Sequence, residues 1–155
     1  MMAEGAPRGV IDGGEHRLPI RVYYEDTDAA GMVYYANYLR FAERARTEMI
    51  RCLDLEHGAL SARFRLMFAV RRCGIDYLAP ARLDDRLEVR SRIVRVGGAS
   101  LDLEQRIFRA ERLLVIMEVR LALLSSALRA TRLPAPLRAA LSALRSDPAP
   151  RGPRG

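Results

Sequence analysis

Seven consecutive residues, Glu25-Asp26-Thr27-Asp28-Ala29-Ala30-Gly31, concentrate carboxylates and small side chains just ahead of a helical pattern. A carboxylate can attack a carbonyl or take a proton from water. The start of a helix supplies backbone N–H groups without internal partners, which can receive a negative oxygen. An acid beside such a helix end is the arrangement in this chain from which chemistry is expected.

The flanking residues indicate how that arrangement is held. Leu18, Ile20, Val22 and Tyr24 alternate with Arg21 and Tyr23, the period of a strand. From Tyr38 the apolar side chains fall at 38, 41, 42, 45, 49, 52 and 53, the spacing of an amphipathic helix, and Asn37 stands at the N-cap position. Four strand-like runs follow: 67–78, 87–96, 101–109 and 113–124. Gly97-Gly98 and 110–112 read as hairpin turns, and a phase slip at Ile93-Val94 reads as a bulge. Leu113–Leu124 is the most apolar run and is expected to be central. After Pro134 and Pro136, Leu137, Leu141 and Leu144 mark a short helix. The order predicts an α+β domain in which a five-stranded antiparallel sheet wraps one long helix. Residues 1–17 are read as a flexible lead-in, 18–146 as the domain and 147–155 as a flexible tail. An uncovered edge and face predict a homodimer.

Composition narrows the classes. The chain has 155 residues and a formal charge of +7. All 26 basic residues are arginine, which excludes lysine Schiff-base and P-loop chemistry. The charge excess lies between the tails and suits an anionic partner. Cys52 and Cys73 are read as buried reduced thiols. His16 and His57, in the lead-in and at a helix end, provide neither a triad nor a metal cluster. No signal-peptide core and no apolar run near the roughly 18 residues of a membrane span are present, so a soluble cytoplasmic protein without a membrane span is expected.

Tyr23-Tyr24-Glu25-Asp26-Thr27-Asp28-Ala29-Ala30-Gly31-Met32-Val33-Tyr34-Tyr35-Ala36-Asn37-Tyr38, followed by Phe41–Glu48, closely resembles the hot-dog-fold acyl-CoA thioesterases of the 4-hydroxybenzoyl-CoA thioesterase family. Within it, the branch associated with the Tol-Pal envelope system is most similar. Asp76–Arg82 with Asp85, and Gly98-Ala99-Ser100, extend the resemblance to residues 18–140. It implies hydrolysis of an acyl-CoA, with Asp28 as nucleophile or general base and the Tyr35 backbone N–H as oxyanion donor. It further implies active sites at the interface of a homodimer or dimer of dimers. Tyr24, Gly31, Met32 and Tyr38 are expected around the substrate, with Arg95 and Ser100 nearest to the CoA phosphates. No metal or separate cofactor is expected, since coenzyme A is part of the substrate. Association with Tol-Pal or phospholipid-metabolism proteins is implied by the resemblance alone, and no nucleic-acid partner is expected.

The residues suit this chemistry. A thioester carbonyl is electrophilic and its thiolate leaves readily, so one aimed carboxylate and an oxyanion donor suffice. Glu25 and Asp26 are read as solvated charges or arginine anchors. Glu43 is read as a helix-surface partner of Arg40 and Arg46, and Glu48 as a partner of Arg44. Tyr35 stands where many relatives carry histidine, which leaves its backbone N–H in role. The alternative reading is a non-catalytic acyl-CoA-binding or envelope-associated module on the same fold.

Overall fold

The computed structural model describes residues 8–57 and 67–150, with the side chains of 54–57 left aside. Six strands form one antiparallel sheet: β1 (Val10–Asp12), β2 (Glu15–Arg21), β3 (Met67–Tyr77), β4 (Arg86–Val96), β5 (Ser100–Arg109) and β6 (Arg112–Leu124). Their spatial order is β1-β2-β4-β5-β6-β3. The long helix α1 (Asn37–His57) packs on β2 and β4, and a short helix α2 (Ala135–Leu144) follows β6.

Alternation decides which side of the sheet receives the helix. Along β4, Leu87, Val89, Ser91 and Ile93 are buried, while Glu88, Arg90 and Arg92 lie on the outer side. The apolar face of α1 meets them with Tyr38, Phe41, Ala42, Ala45, Met49 and Leu53, all at most 3% exposed. One polar crossing fixes the helix on the sheet. Gln105 is fully buried on β5; its amide donates to the Ala42 carbonyl (3.0 Å) and Ser91 Oγ (2.9 Å) and accepts from Arg46 Nη1 (3.0 Å). Burial pulls the Arg46 guanidinium below its ordinary pKa. A buried amide with its partners satisfied specifies one seating of the helix, because any slip strands polar groups in an apolar core.

Several expectations are corrected. The sheet has six strands, not five, and the lead-in drawn at 1–17 contains β1 and the start of β2. Gly13-Gly14 joins them with φ of 57° and 78°, the backbone of a tight two-residue hairpin, so this Gly pair marks a turn rather than slack chain. The tail drawn from 147 is docked as far as Pro150: Ala149 N donates to Glu104 (3.2 Å), and Arg106 donates to the Ala149 (2.7 Å) and Pro150 (3.0 Å) carbonyls. Cys73, expected buried, is exposed, because β3 is an edge strand with β6 as its one neighbour. The expected bulge is present between Ile93 and Arg95, and β6 is paired on both sides. His57 is the last residue of α1. Residues 59–65, whose sequence suggests a short irregular or helical piece between α1 and β3, lie outside the described residues. Among those described, no helix is long and apolar enough to cross a membrane.

Candidate active site

The acidic run folds as a tight hairpin between β2 and α1. A single 3₁₀ turn, Tyr24–Asp26, ends the extended chain. Thr27 then pairs with Val33 across the hairpin, and Asp28 N donates to the Met32 carbonyl at 2.8 Å. Gly31 occupies the sharp position with φ of 76°, where a residue bearing a Cβ would be strained. The space beside it is open, with no heavy atom within 4 Å of where a Cβ would stand.

Two residues anchor this hairpin. Asp26 is 5% exposed, and its carboxylate accepts from Tyr23 N at 2.9 Å. Its carbonyl accepts from Tyr34 N (2.9 Å) and Asn37 Nδ2 (2.8 Å), which joins the loop to the first residue of α1. Asp26, expected to be solvated or to hold an arginine, is instead a buried brace of the backbone. Asn37, expected as an acceptor for helix N–H groups, donates back to the loop. On the other side, Val33 N donates to Ala81 O (2.9 Å) and Leu83 N to Gly31 O (3.2 Å).

Asp28 sits exposed on the open side. Its Oδ1 accepts from Ala30 N (2.9 Å) and Met32 N (3.2 Å), while its second oxygen has no partner among the described residues. One oxygen is thus fixed by backbone and the other is available. Past the hairpin, the N–H of Tyr35 has no acceptor among the described residues, just before α1 begins. An uncommitted N–H at a helix start is suited to a developing negative oxygen.

The expected substrate contacts divide into three groups. Gly31 and Met32 share the Asp28 hairpin, and Tyr24 is exposed beside it, its carbonyl tied to Thr27. Tyr38 is corrected to a core position: it is 3% exposed, and its hydroxyl accepts from Ala81 N at 3.0 Å. Arg95 and Ser100 are not brought to Asp28 within this chain. The start of β4 lies by the hairpin, and Arg95 stands nine residues along it, about 30 Å at the ordinary strand rise.

Tyr77, to which sequence reasoning gave no role, is also present. Its hydroxyl donates to the Tyr35 carbonyl at 3.1 Å, and its ring meets those of Tyr35 and Tyr38 at 6.5 and 5.7 Å. The signal lay in the Asp76–Pro80 run, where β3 ends at Tyr77 and the Tyr77 hydroxyl reaches Tyr35, just ahead of the helix start. Burial pushes the Tyr38 and Tyr77 phenols above their ordinary 10.0, and a hydrogen bond to Tyr35 does the same for Tyr34. These phenols are protonated at neutral pH; that of Tyr77 donates to the Tyr35 carbonyl, while that of Tyr38 accepts from Ala81 N. Glu48 bonds Arg51 (2.7 Å), not the expected Arg44, and Glu43 is exposed, acting on Arg46 through its charge. No group of three metal-ligating side chains occurs among the described residues.

An antiparallel sheet wrapped around one long helix, with this hairpin leading into it, is the hot-dog fold. The chain belongs to the thioesterase superfamily, which it matches over residues 30–116. It is similar to the acyl-CoA thioester hydrolase YbgC of Escherichia coli, 52% identical over 99 residues, or 64% of this chain and 73% of the relative. The acyl-CoA thioesterase YbgC of Haemophilus influenzae is 47% identical over 100 residues, with the same shares. Among solved structures, a probable thioesterase from Bartonella henselae aligns with a TM-score of 0.70 at 36% identity, covering 77% of this chain and 99% of that one.

Proposed function

We propose that this protein hydrolyses acyl-CoA thioesters, with Asp28 as its carboxylate and Tyr35 N–H as its oxyanion donor. The observation that carries this reading is the pairing of a half-free carboxylate with an uncommitted N–H at opposite ends of one braced hairpin. The thioester oxygen takes the Tyr35 N–H, and charge that builds on it during attack is held there. The free Asp28 oxygen either attacks the carbonyl carbon or takes a proton from the attacking water. CoA then leaves as its thiolate, and where Asp28 itself attacks, water hydrolyses the resulting acyl–Asp28 anhydride to the free acid and the carboxylate. Removal of one such donor in comparable sites costs about 100-fold to 1000-fold in rate, so the N–H is a substantial part of the mechanism. No metal or additional cofactor has a step in it.

The working unit in this reading is a homodimer, or a pair of them, with sites at the interface. β3 supports it: this 11-residue edge strand carries exposed Met67, Val70 and Tyr77, an edge that a monomer would be expected to blunt. A panel of short, medium, long and aromatic acyl-CoAs, read by free-thiol release, tests the activity. Turnover of one class is the expected result, and inertness toward all of them would leave the binding-module reading. Light scattering on the same sample should give at least twice the chain mass.

A further inference from the structure

Resting on the thioesterase reading, we infer that Arg21, Arg86 and Arg44 form a binding site for the phosphates of the CoA nucleotide, in a groove along the open edge of β2. Arg21 and Arg86 stand directly opposite each other in the β2–β4 register. Like charges in that position repel, and in each of the other facing arginine pairs of this sheet at least one member is bound to a carboxylate. Arg17 faces Arg90, but Arg17 is paired with Glu15 at 2.9 Å and Arg90 with Glu88 at 2.6 Å. Neither Arg21 nor Arg86 has a carboxylate partner among the described residues, and neither has Arg44.

All three arginines line one cavity of about 500 Å³, with Ile20, Leu87 and Tyr23 also in its wall. Glu48, the carboxylate in that wall, is committed to Arg51. Among the described residues the edge is open, because β1 pairs with β2 only as far as Arg17. Pro19 lies within the open segment and has no N–H to offer, which disfavours a further strand as occupant. Guanidinium groups match phosphate oxygens in planar, paired geometry, and an aromatic ring beside apolar side chains suits a nucleobase.

The groove also lies at the correct end of the sheet. Val22, next to Arg21, exchanges backbone hydrogen bonds with Asp84 and Asp85, and Leu83 N in turn bonds the Gly31 carbonyl. The Asp28 hairpin is therefore about two strand spacings, roughly 10 Å, from the groove, a span the pantetheine arm of CoA can cover.

Arg86→Glu is the discriminating variant, since it converts the repelling pair into a cross-strand ion pair and preserves the fold while reversing the field. On the full chain, kcat/KM is measured for an acyl-CoA and for the N-acetylcysteamine thioester of the same acyl group, which has no phosphates. The ratio of the two should fall at least about tenfold in the variant, the scale of a lost charge-assisted contact. Calorimetry with adenosine 3′,5′-bisphosphate should show binding to the parent and none to the variant. An unmoved ratio, or bisphosphate binding that survives Arg86→Glu, overturns the site while leaving the hydrolase reading intact. Inorganic phosphate binding as tightly as the bisphosphate would overturn the nucleotide assignment. If the parent cleaves neither thioester, the hydrolase reading fails, and the calorimetric comparison alone decides whether the arginines bind the nucleotide.

Discussion

Asp28 and Glu104 are carboxylates of one domain held in opposite ways. Glu104 is 7% exposed and bound on Oε1 by Arg106 (2.9 Å) and by the Ala149 N–H (3.2 Å), under a strap of chain that Arg106 also holds. Asp28 is exposed, with one oxygen fixed by two backbone N–H groups and the other unpartnered among the described residues. A buried, paired charge resists exchange of partners, since breaking the pair leaves an uncompensated ion in a poor solvent. A half-held charge at the surface costs little to maintain and can take a new partner. The comparison separates charge that secures the fold from charge that can do chemistry.

The largest expected effect breaks the first half of the comparison. Arg106→Ala leaves Glu104 buried without its guanidinium and releases the Ala149 and Pro150 carbonyls. A loss of about 3 kcal/mol in stability is expected, the low end for breaking a buried pair. Urea denaturation measures it. Molecules that remain folded should turn over substrate at nearly the parent rate, so a normal midpoint with lost activity would reverse the roles of the two regions.

The complementary change is Asp28→Asn. The amide retains an oxygen that can accept from Ala30 N and Met32 N, so the denaturation midpoint should hold. The charge and the free oxygen are lost, and thiol release should drop at least about 100-fold, roughly 2.7 kcal/mol of barrier. A variant as active as the parent would remove Asp28 from the mechanism.

The same distinction explains what could be read from the sequence. The helix was legible because apolar spacing over 38–53 is a direct image of a buried face, and the strands because alternation along β4 and β5 is an image of a two-sided sheet. β1 was not legible. Three residues cannot display a period, and the Gly13-Gly14 turn that makes the hairpin has the same composition as a linker. The docking of 147–150 was hidden for a related reason: its contacts are made by backbone carbonyls and one N–H, which carry no residue signature. The roles of Asp26 and Asn37 were misread because both act through bonds to the main chain. Tyr38 shows the limit from the other side, as its place in the helical period implied the core more strongly than the pocket.

His16 supplies a third case, a buried group that is only half satisfied, and the smallest predicted effect. It is 1% exposed on β2; Nε2 bonds the Arg8 carbonyl at 2.8 Å, while Nδ1 has no partner among the described residues. Burial lowers its pKa below the ordinary 6.5, opposed by the Arg8 carbonyl and the Glu48 charge. The unfolded chain therefore takes up the proton more readily than the folded one. Stability from this group is complete above pH 6.5 and declines as pH falls below that value toward the folded pKa. Between about pH 7.5 and about pH 5.5 the parent should lose up to about 1 kcal/mol by this route. His16→Gln, whose amide can still donate to the Arg8 carbonyl, should lose measurably less over the same interval. Equal losses in parent and variant would show that His16 is not the group whose protonation loosens the β1–β2 hairpin.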